Sequence, residues 1–335
     1  MHLDFAPSAP GIAPPSTATP WARSLQTHDI DAHAAAQGTW SLHYEQLSAG
    51  RFCGALTLVD LEGLRLLNEH TNLALRQRGG LGAGAYGFAL SLSAPADMYF
   101  HGRPVPANAI MCGRGHQIDM VTPTQHSMIA LEVDKDLLIP LWERMYHRPL
   151  AAWLEHPLVL STTEVWSTAL QQRHSLLMCQ ALEICASLQA PTSLSALRDD
   201  ILIEWIEALP CGVDTSDLPT LQRRRRLVDK ACELMLAHAE EPLSMLQVCS
   251  TVGASRRKLN YCFQDVLGIA PTKYLRAIRL NGVRRALQQA GPGTTVQDTA
   301  ARWGFWHLGQ FSSDYKKHCA QLPSQTLAEA RRDWA

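Results

Sequence analysis

The chain has no stretch near the roughly 18 uninterrupted apolar residues of a membrane helix, and its N-terminus has no basic region followed by an apolar run. Neither a membrane partner nor export is expected, and the chain is placed in the cytoplasm. It has no C-x-x-C pair. Nine cysteines are scattered over 335 residues, an odd number that cannot pair fully within one chain. Reduced thiols are expected in place of a disulfide framework. A phosphate-binding G-x-x-x-x-G-K-[ST] run, a Ser, His and acid set and paired carboxylates at a catalytic motif are all missing, so no enzyme class is indicated. His101, His116 and His126 lack the H-x-H spacing and following carboxylate of a metal site and read as surface or core histidines.

One motif is present in form only. Gly82-Ala83-Gly84-Ala85-Tyr86-Gly87 fits G-x-G-x-x-G, but that fingerprint must follow a strand and open a helix. Here the alternating Phe88-Ala89-Leu90-Ser91-Leu92 follows, which predicts a hairpin loop.

The net charge of -1 hides a division. From Leu221 to the end there are 18 Lys+Arg against 9 Asp+Glu, and the rest of the chain holds 12 against 22. The last third suits a polyanion, which the remainder would repel. Length favours about two domains. Residues 1–20 hold Pro7, Pro10, Pro14, Pro15 and Pro20 among small residues and read as a disordered leader. Residues 21–160 read as β-rich: Leu56 and Leu58, Leu64 and Leu66, Leu73 and Leu75, Phe88 to Leu92, and Ile129, Leu131 and Val133 alternate as strands do. Residues 161–220 read as a helical connector and linker. Trp166, Leu170, Leu177, Ala181, Ile184 and Leu188 mark one helical face and Leu194, Leu197, Ile201, Trp205 and Ala208 another, with Pro191 between them and a linker over Pro210 to Pro219. Such a pair connects domains or joins two copies of a chain.

Residues 221–335 carry two tandem helix-turn-helix patterns. In the first, Leu243 to Leu267, Ser244 caps a helix that Gly253 ends, and Ser255 caps the next. Leu259, Phe263 and Val266 recur three to four apart and face inward, leaving Arg256, Arg257, Asn260, Tyr261 and Gln264 outward where they reach base edges. In the second, Thr295 to Leu322, Val296, Ala300 and Ala301 form an apolar face, Gly304-Phe305 the turn, and His307 to Lys317 the second helix. Phe311 and Tyr315 point inward; Leu308, Gln310, Ser312 and Ser313 point out. Between the two, a helix from Pro271 to Ala290 spans about 30 Å, close to the roughly 34 Å between successive major-groove faces. On this rod Arg276, Arg279, Arg284 and Arg285 are open to two readings, phosphate contact or solvation. The Arg223–Arg226 run allows the same two; a helix start does not favour positive charge, which tilts it to phosphate. Trp303 reads as core and Trp306 as exposed.

On these residues the chain resembles the AraC family of bacterial transcription regulators. The resemblance covers about Leu243 to Leu327 through Ser255-Arg256-Arg257, Phe263, Leu267-Gly268-Ile269-Ala270-Pro271, Tyr274, Arg279-Leu280, Gly304-Phe305, Phe311 and Tyr315; Cys249 and Gln321-Leu322-Pro323 depart from the pattern. It implies an α+β protein: a cupin-like β-rich sensor domain, a helical connector, and an all-α domain with two helix-turn-helix units. The implied partners are double-stranded operator DNA, RNA polymerase, a small-molecule effector and a second copy of the chain. No cofactor is required for folding. Thr71 to Gln77, Arg279 to Arg285 and Trp303 to Phe311 further resemble regulators of ethanolamine utilisation, which implies an activator with ethanolamine and adenosylcobalamin as effectors. Asp31-Ala32-His33 lacks the Gly of a D-x-H-x-x-G cobalamin signature. For a cationic amine the β-rich region offers Asp60, Glu62, Glu69, Asp97, Asp119 and Glu132, with Tyr86 and Tyr99, and nothing ranks them. The rival class is a DNA-repair alkyltransferase fused to the same type of domain. It needs a thiolate beside His or a zinc-binding cluster, and Cys53 and Cys112 have neither neighbour.

Overall fold

A computed structural model describes residues 21–332 apart from Thr39, Ala83, 93–96, 115–117, Arg148, Glu155, Pro157, 188–190, 210–217, 241–242 and Pro292. The expected leader over 1–20, His116, Leu188 and most of the linker lie outside the described residues. The N-terminal part runs β1 (Trp21–Thr27), α1 (Ile30–Ala35), β2 (Ser41–Gln46), β3 (Gly54–Asp60), β4 (Leu64–Thr71), β5 (Leu75–Gly80), β6 (Ala85–Ser91), β7 (Tyr99–Phe100), β8 (Arg103–Pro104), β9 (Ala109–Arg114), β10 (Ile118–Thr122), β11 (His126–Asp134), α2 (Lys135–Tyr146), α3 (Leu150–Trp153) and β12 (Leu158–Ser161). The connector helices α4 (Glu164–Ser187) and α5 (Pro191–Glu207) follow. The C-terminal part is helical: α6 (Leu218–Ala237), α7 (Met245–Val252), α8 (Arg256–Leu267), α9 (Pro271–Gln288), α10 (Val296–Arg302), α11 (Leu308–Cys319) and α12 (Pro323–Arg332). The mixed α+β class with a β-rich first part and a helical second part is what the sequence indicates.

Two antiparallel sheets form the N-terminal part, one of seven strands in the order β1-β3-β4-β11-β6-β9-β12 and one of five in the order β2-β5-β10-β7-β8. Strand alternation explains the layers. On β11, Met128 and Ala130 pack between the sheets with Leu56, Leu58, Leu67 and Met120. Ile129, Leu131 and Val133 point the other way, against Trp142 of α2, Leu170 and Leu177 of α4 and Trp205 of α5. The seven-stranded sheet is thus apolar on both faces, and the connector helices cover its outside. Trp166 departs from the expected buried face of α4 and is 55% exposed. Ser167 sits inward in the first turn instead, its hydroxyl donating to Asn108 Oδ1 at 2.7 Å.

Two further expectations change. The Gly82–Gly87 segment is no hairpin loop, because β5 belongs to the five-stranded sheet and β6 to the other, so the segment crosses between layers. A strand follows it, so no helix N-terminus faces the glycines. Helix α6 starts at Leu218, so the last two residues of the expected linker, Leu218 and Pro219, are helical.

The C-terminal part has two apolar clusters joined by α9. Its first half, with Tyr274, Leu275 and Ile278, packs with Val228, Met235, Val248, Leu259, Phe263 and Val266. Its second half, with Leu280, Val283 and Leu287, packs with Ala300, Phe311, Tyr315 and Leu327. Gly282 lies at the junction, where a Cβ would stand 2.2 Å from the ring of Trp303. Only a hydrogen fits there, and Trp303 therefore closes on the rod, as its core reading requires.

Candidate nucleic-acid interface

The first helix pair forms as its caps dictate. Ser244 Oγ accepts from the Gln247 N–H at 3.2 Å and Gln247 Oε1 from the Ser244 N–H at 2.8 Å, a complete capping box. Ser255 Oγ then accepts from the Lys258 N–H at 3.2 Å and starts α8. Leu259, Cys262, Phe263, Val266 and Leu267 are buried, while Arg256, Arg257, Lys258, Asn260, Tyr261 and Gln264 are exposed. Among the described residues Arg256, Arg257 and Asn260 have no side-chain hydrogen-bond or ion-pair partner. Tyr261 is 57% exposed and carries the Arg224 guanidinium over its ring at 5.1 Å. Gln264 differs from a free base reader, since its Nε2 donates to the Gly268 carbonyl at 3.1 Å.

The second pair has the same outline. Thr295 Oγ1 accepts from the Asp298 N–H at 3.1 Å, Gly304 turns the chain with φ +78°, and α11 starts at Leu308 and extends to Cys319, past the expected end at Lys317. Phe311 and Tyr315 are buried as the periodicity requires. Leu308, Gln310 and Ser313 are exposed and Ser312 is half-buried. Gln310 Nε2 is held by both Asp314 carboxylate oxygens at 3.1 Å, and Asp314 also pairs with Arg276. Trp306 stands 70% exposed beside this pair.

The rod's arginines correct the sequence reading. Arg284 and Arg285 bond to carboxylates of the N-terminal domain and are not offered to phosphate: Arg284 Nη2 reaches Asp31 Oδ2 at 2.8 Å and also pairs with Asp29, while Arg285 Nη1 reaches Glu45 Oε1 at 3.0 Å. Arg279 Nε donates to the Ala239 carbonyl at 3.0 Å. The Arg223–Arg226 run also divides. Arg224 pairs with Asp265 at 2.7 Å and Arg225 with Asp229 at 3.4 Å, whereas Arg223 and Arg226 are exposed.

The carboxylates that hold the rod belong to a surface the sequence reading missed. On the five-stranded sheet Tyr44, Leu75, Gln77 and Met120 point between the sheets, so Glu45, Arg76, Asp119 and Val121 point out, onto α6 and α9. Arg76 is buried. Its Nε donates to Asp119 Oδ1 at 3.0 Å, and Nη1 donates to Tyr274 Oη and Cys232 Sγ, each at 3.0 Å. Burial would raise the Asp119 carboxyl, but the Arg76 guanidinium outweighs it and holds the group below the ordinary carboxylate range. Glu45, although buried, is held down to about 2 by bonds from His43 and Arg285. The carboxylates are therefore charged, and the acidic domain docks on the basic one through desolvated ion pairs. Both outward-pointing helices are held at their C-terminal ends by this sheet: Gly268 (φ +65°) lies against the Tyr99 ring, where a Cβ would meet it at 2.7 Å, and the His318 carbonyl accepts from Gln46 Nε2 at 2.6 Å and the Gly50 N–H at 2.9 Å.

The helix-turn-helix domain family matches residues 248–329, which covers α8 to α11 and parts of α7 and α12. The probable thc operon regulatory protein of Rhodococcus erythropolis is 39% identical over 102 residues, 30% of this chain and 31% of that protein. The XylDLEGF operon transcriptional activator of Pseudomonas putida is 24% identical over 108 residues, 32% of this chain and 34% of that one. A solved transcriptional regulator with an AraC-type DNA-binding domain, from Chromobacterium violaceum, is 34% identical over 32% of this chain and 96% of its own, with a TM-score of 0.30. The chain carries an AraC-family helix-turn-helix domain. It matches about a third of the length of the two curated relatives, which are transcriptional regulators and not enzymes. Cys112 is enclosed between β6 and β12, where burial pushes its thiol far above the usual range, and Cys53 has no zinc-type neighbours among the described residues.

Proposed function

We propose that this chain is a sequence-specific DNA-binding regulator of transcription, an activator, and that its N-terminal domain senses a small molecule. One observation carries the reading: α8 and α11 present polar side chains to solvent while the opposite side of their domain is sealed by the five-stranded sheet. Both helix pairs then act as helix-turn-helix units. Arg256, Arg257, Asn260 and Tyr261 reach base edges from α8, with Arg to guanine and Asn to adenine as the favoured pairings. Leu308 and Ser313 do so from α11, while Gln264, Gln310 and Ser312 need a shift of their present bonds or packing. Arg223 and Arg226 supply phosphate contact, which positions the protein without reading sequence. RNA polymerase and a second copy of the chain are the proposed protein partners.

For the effector we propose ethanolamine with adenosylcobalamin, held in a cupin-like arrangement of the two sheets. The support is the likeness of the Thr71–Gln77, Arg279–Arg285 and Trp303–Phe311 runs to regulators of that pathway. Of the carboxylates offered to an amine, Asp119 is engaged by Arg76 and Asp60 and Glu132 by Arg65; Glu69, between the sheets, is the proposed partner, and an amine there would replace one of its bonds from His33, Gln37, Tyr44 or Gln77. Two measurements test the reading. Fluorescence anisotropy on labelled duplexes should give affinity that falls steeply with salt; absence of binding to any duplex would end it. Calorimetry with both ligands at millimolar amine should give heat; none would remove the named effector and leave the DNA reading standing.

A further inference from the structure

Helix α1 stands between two clusters. On its outer side Asp29 and Asp31 take the rod's arginines: Arg285 Nε lies 3.1 Å from both Asp31 oxygens, and Gln288 Nε2 lies 2.9 Å from Asp29 Oδ2. On its inner side His33, and Gln37 just past its C-cap, reach Glu69, which is buried between the sheets. Glu69 Oε1 receives His33 Nε2 at 3.1 Å, Gln37 Nε2 at 3.2 Å and the Tyr44 hydroxyl at 2.8 Å; Oε2 receives Gln77 Nε2 at 3.3 Å. Around it Gln37 Oε1, Thr71 Oγ1 and His126 Nδ1 are enclosed and have no hydrogen-bond partner among the described residues. A buried polar cluster that is only partly satisfied is sensitive to small shifts, since a shift that pairs those atoms while keeping the existing bonds is favourable.

The two sides of α1 cannot move independently. Asp29 is its N-cap, accepting the Asp31 and Ala32 N–H groups at 2.9 Å each, and His33 follows Asp31 by two residues. We propose that α1, with Tyr44 beside it, is a transmission element: the Tyr44 hydroxyl donates to Glu69 and its carbonyl accepts from Arg285 Nη2 at 2.9 Å, so a change at the Glu69 cluster reaches α9 by moving α1 and Tyr44, and a change at α9 reaches Glu69 in the same way. Because α9 carries both helix pairs, the interior of the sensor domain gains a mechanical hold on their relative placement. Coupling between two sites is reciprocal, so both directions are testable without DNA or effector.

Hydrogen exchange on the full chain reads this directly. Glu69→Gln touches nothing in α9, yet it should speed exchange over residues 281–288 by about fivefold or more. Arg285→Gln should speed exchange in β4 around Glu69 to a similar degree. Combining Glu69→Gln with Asp31→Asn should fall short of the sum of the single effects, since both act through α1. Ile129→Val loosens the other face of the same sheet and should leave α9 at the wild-type rate. Wild-type exchange in α9 of Glu69→Gln, or equal acceleration by Ile129→Val, overturns the proposal. If Glu69→Gln does not fold, Gln37→Ala is read in the same way. Either failure leaves the DNA-binding reading intact, because no DNA is present in the experiment.

Discussion

Arg257, like Arg256 before it, is a long, exposed cation on a capped helix with no ion-pair partner among the described residues, on a surface otherwise rich in internal ion pairs. Arg257→Ala should cost about 1–3 kcal/mol against the preferred base and little on random duplex. Competition anisotropy checks this, and equal losses on both would make Arg257 a phosphate contact. Burial acts on three histidines in a second way. Trp205 Nε1 donates to His174 Nδ1 at 3.3 Å, and burial pushes that imidazole down to about 3; His126 and His318, also buried, are pushed down to about 4. Each is neutral in the fold and protonates near 6.5 once unfolded, so the unfolded chain binds more protons between these values. Their contribution to stability is full above pH 6.5 and is lost as pH falls toward about 4, and toward about 3 for His174. Denaturation midpoints across that range should fall for the wild type and fall less for His174→Gln; identical slopes would exclude His174. The outward residues of α8 were legible because an amphipathic period and two caps specify them. The engagement of Gln310 by Asp314 was not, since an i, i+4 pair on a surface looks the same whether it is free or closed.

At the scale of elements, α9 decides how the two helix pairs sit. Ending at Gln288 and not at Ala290, its 18 residues rise about 27 Å, short of the roughly 34 Å groove repeat. Gly282→Ala should push the Trp303 ring away and cost about 1–3 kcal/mol through overpacking. Thermal melting would show the loss, and operator affinity should drop with it because α10 and α11 move. Unchanged melting and binding would mean that the packing of Trp303 against the rod is unimportant. Helices α7 to α11 were readable from Ser244, Gly253, Ser255, Pro271 and Thr295, which are local start and stop signals. By contrast α1 is six residues long with little apolar content beyond alanine, and α2 contains Pro140, so neither announces itself.

For the whole molecule, the docking of an acidic domain on a basic one is the main addition to the sequence reading. The charge division was visible from composition, but its use was misassigned in part: Arg284 and Arg285 answer carboxylates in the same chain and not only a polyanion. A strand face carrying Glu45, Arg76 and Asp119 resembles a solvated face by its pattern, and only the tertiary structure reveals that a domain covers it. Arg76→Ala leaves Asp119 buried without its main partner, a change of about 3–5 kcal/mol in such settings. Calorimetric unfolding should split into two transitions as the domains separate, and a single transition at the wild-type temperature would contradict the role given to Arg76.

The most direct test of the central claim is selection of bound duplexes from a random library by the full-length chain. Two reading helices on one rod should enrich sequences with two blocks of constrained positions whose centres lie about 10 base pairs apart. Retention of all sequences alike, with no constrained positions, would contradict it.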